Sequence, residues 1–316
     1  MSLPQTTAKL DPVLIREVGL RDGLQSVART LPTADKLAWL RAAHGAGLRE
    51  IEVGSFVPPR LLPQLADTAV LVAAAKALPG LVTSVLVPNL KGALAALDSG
   101  AGLMLLPISA SRAHSQANLR RTPEEAVAEL ARVRAARDAA GSACRIEVGL
   151  STAFGCTLQG RVDEAEVLGL LQAVLDAGAE QVGLADTVGY ADPLQVGRLF
   201  EKGRALAGER LSCGHFHDTR GLGLANVFAA WQTGVRRFDA CLGGIGGCPH
   251  APGASGNVAT EDLAYLFASM GVPTGLDLDA LIALRAPLGH WLAGEPLFGS
   301  IARAGLPRTL SQALRR

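Results

Sequence analysis

The chain has 316 residues, a formal net charge of +1 and 49% hydrophobic residues. This charge balance excludes binding of nucleic acid or an anionic membrane through overall basicity, so an anionic substrate needs a local cationic site. The five cysteines show no C-x-x-C spacing, which argues against disulfides or structural zinc and favours a reduced cytoplasmic location. Residues 1–10 resemble no signal peptide, and no run of about 18 apolar residues predicts a membrane span.

Short apolar segments alternate with helical stretches along the chain, which is typical of a parallel sheet covered by helices. We predict eight strands, at Leu14–Val18, Glu50–Val53, Thr83–Val87, Leu103–Leu106, Arg145–Leu150, Gln181–Leu184, Leu211–His215 and Arg237–Cys241. Eight units favour a closed (β/α)₈ TIM barrel. An open doubly wound sheet is disfavoured because no G-x-G-x-x-G follows the first strand.

Start signals mark several of the predicted helices. Thr33 is predicted to cap the periodic stretch Asp35–Ala46, and Thr122 to cap a helix with Pro123 at its first position. Further helices are expected at Asp163–Ala177, Pro193–Ala207 and Leu222–Thr233. We interpret residues 1–316 as one catalytic domain, with a barrel over about residues 12–270 and a helical extension over about 271–316 that includes a helix at Leu276–Leu288.

Polar residues follow the predicted strands, where the active site of a TIM barrel is built. The candidates are Arg21 and Asp22 after the first strand, Glu52 and Ser55 after the second, Asn89 and Lys91 after the third, Asp186 and Thr187 after the sixth, His215 and His217 at the seventh, and Asn257 and Glu261 beyond the eighth. This distribution predicts an enzyme.

A divalent metal site is predicted among these residues. His215 and His217 alternate on an extended strand, so both imidazoles face the same side. Closure of the barrel makes the first, seventh and eighth strands neighbours, which brings Asp22 and Asn257 to the histidines. Two imidazoles with carboxylate and amide oxygens suit Mg²⁺ or Mn²⁺, and Zn²⁺ or Co²⁺ are alternatives.

Two further features point to chemistry on a thioester. Arg21 precedes the predicted ligand Asp22, and its guanidinium could hold a thioester carbonyl and stabilise an enolate. The segment Gly243–Gly256 is dense in Gly and Pro, which predicts a mobile loop that carries Cys248. We expect Cys248 to donate or relay a proton.

These motifs resemble, in order, those of the 3-hydroxy-3-methylglutaryl-CoA lyase family over about residues 12–300. The matching segments are Arg21–Gln25, Glu52–Phe56, Pro88–Gly92, Asp186–Gly189, His215–Thr219 and Gly243–Asp262. The resemblance implies a metal held by Asp22, His215, His217 and Asn257. It implies a small-molecule acyl-CoA substrate, and homo-oligomers are common among such barrels.

The resemblance also implies roles for the remaining candidates. Arg21 would bind the thioester carbonyl, Cys248 would act from the loop, and Glu52 and Glu261 would support the ligands or relay protons. Asp186 would support the metal-binding histidines or the substrate. The residues expected near the substrate or its CoA arm are Arg21, Ser55, Asn89, Lys91, Gly149, Asp186 and Thr187.

One departure from the family concerns the acyl group. The family's tyrosine at the end of the fifth strand corresponds to Gly149, which opens volume and removes a hydroxyl donor. The resemblance therefore implies 3-hydroxy-3-methylglutaryl-CoA or a close analogue as substrate, and a bulkier 3-hydroxyacyl-CoA is the alternative.

The predicted reaction is metal-dependent cleavage of the C2–C3 bond of a 3-hydroxyacyl-CoA to acetyl-CoA and a keto acid. Either Asp22 or His215 would remove the hydroxyl proton. Alternatives are a Claisen-type synthase that condenses acetyl-CoA with a 2-oxo acid, an aldolase of 4-hydroxy-2-oxo acids, and a barrel that binds a ligand without catalysis. Acetyl-CoA production separates the lyase from the aldolase.

Overall fold

The computed structural model describes residues 10–247, 256–310 and 312, and contains eight parallel strands. They are β1 (Leu14–Glu17), β2 (Glu50–Ser55), β3 (Val82–Leu86), β4 (Leu103–Ser109), β5 (Arg145–Ser151), β6 (Gln181–Asp186), β7 (Leu211–Phe216) and β8 (Arg237–Ala240). Each strand pairs with the next, and β8 pairs with β1 to close the barrel. The predicted TIM barrel is confirmed, with strand ends at most three residues from the predicted ones.

Helices follow the strands and cover the outside of the barrel. They are α1 (Thr33–Gly45), α2 (Thr68–Ala75), α3 (Leu90–Ser99), α4 (Arg112–Leu119), α5 (Pro123–Ala139), α6 (Glu164–Asp176), α7 (Pro193–Ala207), α8 (Gly223–Gln232) and α9 (Thr260–Ser269). The described chain continues through three short helices, α10 (Leu278–Ala283), α11 (Arg285–Trp291) and α12 (Ile301–Ala304).

Two of the local predictions for helices are wrong. Thr33 does not cap α1, because the helix begins at Thr33 after Pro32, and the Thr33 hydroxyl donates instead to Asp67 Oδ2 at 2.8 Å. The single helix expected over 276–288 is two helices, since Pro287 lacks the N–H that would continue the hydrogen-bond ladder from α10. The cap at Thr122 is confirmed and forms a reciprocal capping box with Glu125.

The interior of the barrel contains a buried charge array, formed by Arg16, Glu50, Glu147, Arg237 and Asp239. Arg16 Nε donates to Asp239 Oδ1 at 2.7 Å and Arg16 Nη2 donates to Glu147 Oε1 at 3.0 Å. Arg237 pairs with both Glu50 and Glu147. Every charge in the array therefore has an opposite partner, as burial requires.

A tight π-helical turn, Gly19–Gly23, follows β1 and positions the first catalytic candidates. The amides of Arg21 and Asp22 both donate to Val18 O, at 3.1 and 2.7 Å. Gly19 is required here because a Cβ would collide with the Glu17 carboxylate and the Trp39 indole. The turn holds both polar side chains in buried positions.

Glu17 fastens this turn to the segments that follow β8. Its buried carboxylate accepts hydrogen bonds from Gly19 N at 2.9 Å, from Leu242 N at 3.0 and 3.1 Å, and from the Thr260 hydroxyl at 2.6 Å. Burial raises the pKa of Glu17 to about 7, although these donors oppose the shift. One side chain thus connects β1, β8 and the start of α9.

We expect Glu17→Gln to lower the free energy of unfolding by about 1–3 kcal/mol near pH 5, because an amide turns two donors towards existing donors. The raised pKa of Glu17 also makes the wild type lose stability as the pH rises from 4.5 to about 7, since the unfolded chain ionises first. The advantage of the wild type over the variant should shrink by about 3 kcal/mol across that interval.

Urea unfolding between pH 4.5 and 8 measures this difference. Glu201→Gln, on the exposed surface of α7, is the control and should leave the pH profile unchanged. A difference between wild type and Glu17→Gln that is constant with pH would contradict the prediction.

Candidate active site

Asp22 lies at the carboxyl end of the barrel and is the meeting point of several side chains. Its Oδ1 accepts from Arg21 Nη1 at 2.5 Å and from Gln25 Nε2 at 2.8 Å. Its Oδ2 accepts from Asn257 Nδ2 at 2.6 Å. Burial alone would raise the pKa of Asp22, but the charge of Arg21 and the contact with His217 lower it well below its usual range. Asp22 is therefore ionised at neutral pH.

The two histidines of β7 and its end face each other, as their alternation predicts. His215 Nε2 and His217 Nε2 lie 3.1 Å apart, and Asp22 Oδ2 lies 3.7 Å from His217 Nε2. The ligand atoms of the three residues all lie within 4.8 Å of one another, which is the spacing of a metal site.

Asn257 reaches the same point from beyond β8. It pairs with His217 through an isolated backbone bridge, and its side chain contacts Asp22 as described. Residues from the first, seventh and eighth βα units therefore meet, although 235 positions separate Asp22 from Asn257.

The donor set fits a divalent cation. Two imidazole nitrogens confront each other, and a proton or a cation is needed between two such acceptors. Beside them, the buried Asn257 Oδ1 has no hydrogen-bond partner. Asp22, His215, His217 and Asn257 together offer nitrogen and oxygen ligands that suit Mg²⁺ or Mn²⁺.

Arg21 is held beside this cluster by Glu52. Arg21 Nε donates to Glu52 Oε2 at 2.8 Å, while the other carboxylate oxygen of Glu52 has no partner. Burial raises the pKa of Glu52, although Arg21 opposes the shift. The pairing directs the guanidinium towards Asp22, next to the position where a substrate on the metal would lie.

Two other predicted substrate residues make local backbone contacts on the second and third βα units. The buried Ser55 hydroxyl accepts from Val57 N at 3.2 Å, and Asn89 Oδ1 caps α3 by accepting from Gly92 N at 3.0 Å. Lys91 lies exposed on the first turn of α3. The structure does not bring these three residues into contact with the metal cluster.

The predicted residues after β6 also organise the backbone. Asp186 accepts from Tyr190 N at 2.8 Å and from Ala191 N at 3.1 Å, and burial raises its pKa. Thr187 Oγ1 accepts from Thr152 N at 2.8 Å. These contacts fix the loops after β5 and β6 around the carboxyl end of the barrel.

Glu261 is directed away from the metal ligands. It pairs with Arg285 and accepts a hydrogen bond from Gly243 N at 3.3 Å. Burial raises the pKa of Glu261, and Arg285 opposes the shift. Glu261 thus anchors the base of the Gly-rich loop to α11. Cys248 lies outside the described residues.

Gly149 borders open space in the barrel. A Cβ at this position would meet a single neighbour, Leu105 Cδ2, at 3.7 Å. Gly149 pairs in register with Pro107 of β4 and Gly183 of β6, which carry no polar side chain.

The sequence analysis did not predict that Asp239 and Arg16, in the interior of the barrel, support His215. His215 Nδ1 lies 3.0 Å from Asp239 Oδ2, and Asp239 is in turn held by Arg16. The signal was present in the sequence, because both charges lie inside predicted strands, Leu14–Val18 and Arg237–Cys241, and a charge within a buried strand needs a partner.

Comparison with known proteins identifies the family. Residues 13–287 match the family model HMGL-like. The chain belongs to the HMGL-like family. No helix in the described ranges is long and apolar enough to cross a membrane.

Two proteins that are similar to this chain are named as lyases. The chain is 39% identical to the (R)-citramalyl-CoA lyase of Chloroflexus aurantiacus, over 96% of this chain and 99% of that protein. It is 38% identical to the 3-hydroxy-3-isohexenylglutaryl-CoA/hydroxymethylglutaryl-CoA lyase of Pseudomonas aeruginosa, over 85% and 89%. The predicted enzyme class, a carbon–carbon lyase of this family, is confirmed.

A solved structure has nearly the same fold. The HMG-CoA lyase from Acinetobacter baumannii in complex with coenzyme A and 3-methylmalate superposes with a TM-score of 0.89 at 39% identity. The match covers 95% of this chain and 97% of that one. An HMGL-like member with this barrel therefore accommodates both molecules.

We expect His217→Ala to lower Mn²⁺ affinity by about 100-fold or more, because it removes one ligand and leaves the buried cluster incomplete. Equilibrium titration of the metal-free protein with Mn²⁺ measures the change. His290→Ala, on the exposed surface of α11, is the matched control and should bind Mn²⁺ as the wild type does. Equal affinities for wild type and His217→Ala would remove His217 from the metal site.

Proposed function

We propose that this protein cleaves a 3-hydroxyacyl-CoA ester that carries a carboxylate, giving acetyl-CoA and a keto acid, with Mg²⁺ or Mn²⁺ as cofactor. The observation that carries the proposal is the convergence of Asp22, His215 and His217 beside the buried Arg21. The names of the relatives support this substrate class.

The cation would be held by Asp22, His215, His217 and Asn257, and would supply Lewis acidity that lowers the pKa of the substrate's 3-hydroxyl. Asp22 or His215 accepts the hydroxyl proton. Asp22 is ionised and can accept the proton, but its lowered pKa makes it a weak base, whereas Asp239 raises the pKa of His215 against the opposing effect of burial and makes that imidazole the stronger base.

Arg21 stabilises the product side of the bond cleavage. As the C2–C3 bond breaks, its electron pair moves to C2 and gives the acetyl-CoA enolate, while C3 becomes the ketone carbon. The guanidinium of Arg21 donates hydrogen bonds to the enolate oxygen, and Glu52 keeps it oriented. A general acid then protonates C2.

Cys248 is our candidate for this general acid. In the sequence it falls between Gly247 and Gly256, and the residues that flank this segment lie at the cluster: a Cβ on Gly246 would contact the side chains of Asn257 and Asp22. We expect Cys248→Ser to reduce turnover by about 10²–10⁴-fold with metal binding intact. Turnover near that of the wild type would exclude the role.

The function is tested by acetyl-CoA release from 3-hydroxy-3-methylglutaryl-CoA and from (R)-citramalyl-CoA, with the protein loaded with Mg²⁺ or Mn²⁺. These acyl groups differ by one methylene in the carboxylate arm. We expect release from at least one ester, a loss of about 100-fold or more with EDTA, and recovery when Mn²⁺ is added back.

The controls of this assay also separate the alternatives. EDTA-insensitive release would exclude the metal-dependent mechanism. Condensation of acetyl-CoA with a 2-oxo acid, faster than cleavage, would favour a synthase. A folded, metal-loaded protein that cleaves no 3-hydroxyacyl-CoA would refute the proposal.

A second candidate substrate is a 3-hydroxyacyl-CoA with a larger apolar substituent. The open space at Gly149, with Leu105 as its one close neighbour, favours this candidate. The relative from Pseudomonas aeruginosa, which is named for an isohexenyl substrate, supports it.

We expect Gly149→Phe to lower kcat/KM for 3-hydroxy-3-isohexenylglutaryl-CoA about tenfold or more relative to 3-hydroxy-3-methylglutaryl-CoA, since the ring would fill the open space. Parallel kinetics with both esters measure the ratio. Gly45→Phe is the control, because its Cβ would meet no atom within 4 Å and lies at the exposed end of α1. An unchanged ratio would show that the substituent binds elsewhere.

A further inference from the structure

We infer that Asp239 is a positioning residue for the metal ligand His215, and that the charge array holds Asp239 in the orientation this requires. The inference rests on the proposed function, because it assumes a cation at His215. It assigns a purpose to five buried charges that the reaction does not use directly.

The first step concerns the hydrogen bonds of Asp239. Its Oδ1 accepts from Arg16 Nε at 2.7 Å, and the thiol of Cys213 lies 3.4 Å from the same oxygen. Its Oδ2 accepts from Arg16 Nη2 at 2.9 Å and lies 3.0 Å from His215 Nδ1. Arg16 thus grips both oxygens in a bidentate pair, which fixes the plane of the carboxylate.

The second step concerns the imidazole. A carboxylate only accepts hydrogen bonds, so His215 must place its N–H at Nδ1 when it contacts Asp239. The lone pair of the neutral ring then lies on Nε2, the atom that faces His217 and the metal cluster. Asp239 therefore selects the tautomer that can bind a cation.

The partner histidine lacks this support. His217 Nδ1 is buried without a hydrogen-bond partner, and among the residues that the structure describes no carboxylate contacts that nitrogen. The two ligands differ for this reason: His215 is oriented before the metal binds, whereas His217 takes its orientation from Asp22 and the ion.

The third step concerns the rest of the array. Arg16 also contacts Glu147 at 3.0 Å and Glu50 at 3.5 Å, and Arg237 pairs with the same two glutamates from the other side. Arg16 therefore cannot rotate away from Asp239 without breaking other buried ion pairs. The residues of the array lie on β1, β2, β5 and β8, and their ion pairs together hold the Asp239 carboxylate in one orientation.

The test compares Asp239→Asn with Asp67→Asn as the matched control. Both changes replace a carboxylate paired with a buried cation, since Lys36 Nζ contacts Asp67 Oδ1 at 2.7 Å, but Asp67 lies between α1 and α2, away from the metal site. Mn²⁺ titration measures affinity, and urea unfolding measures the stability of each variant.

We expect Asp239→Asn to weaken Mn²⁺ binding about 10–100-fold, with Asp67→Asn within about threefold of the wild type. Activity at saturating metal should fall less than activity at limiting metal. Unchanged affinity in Asp239→Asn, or an equal loss in both variants, would overturn the inference. If the wild type itself binds no Mn²⁺, the proposed function fails instead.

A measurement on the wild type keeps the inference testable if Asp239→Asn does not fold. In Mg²⁺-loaded protein labelled with [¹⁵N]histidine, correlations between ¹H and ¹⁵N should place the His215 ring proton on Nδ1. A proton on Nε2 would overturn the assignment, because the cation would then lie on the side that faces Asp239.

Discussion

The pairing of β1 with β8 is the constraint on which the rest of the structure depends. It aligns Arg16 with Asp239 and Glu17 with Ala240, so the first and last strands share both the charge array and the Glu17 contacts. Because the barrel closes here, a turn near the start of the chain meets an asparagine 235 positions later. Without closure, the metal ligands would lie at opposite edges of an open sheet.

The interior uses charges where many barrels use aliphatic side chains. Such burial gives little net stability, because desolvation offsets the attraction between partners. The array instead fixes orientation. Arg16 is held by several carboxylates, and its guanidinium in turn holds the Asp239 carboxylate in one orientation. Asp239, held in this way, in turn fixes the orientation of His215 in the metal cluster above the array.

At the carboxyl end of the barrel, polar and apolar side chains lie on different strands. The candidate metal ligands and Arg21 belong to β7 or to the loops that follow β1, β7 and β8, whereas small or apolar residues such as Leu105 and Gly149 belong to β4 and β5. Under the proposed function, a substrate with a carboxylate and hydroxyl at one end and an apolar substituent would suit this asymmetry. Chemistry and selectivity would then depend on separate strands, so that either could vary while the other is retained.

The sequence by itself determined the barrel and predicted that Asp22, His215, His217 and Asn257 converge, as the structure shows. Apolar strands that alternate with helices indicate a closed barrel, and polar residues just after those strands lie at its carboxyl end. The binding of a metal by these four residues stays a prediction. Only the tertiary structure decided which side chain each buried carboxylate contacts. Nothing in the sequence distinguishes Glu52, which contacts Arg21, from Glu261, which faces Arg285, or reveals that Asp239 supports His215. The physical reason is that periodicity fixes which face a side chain occupies, whereas strand register and barrel closure fix what lies opposite it.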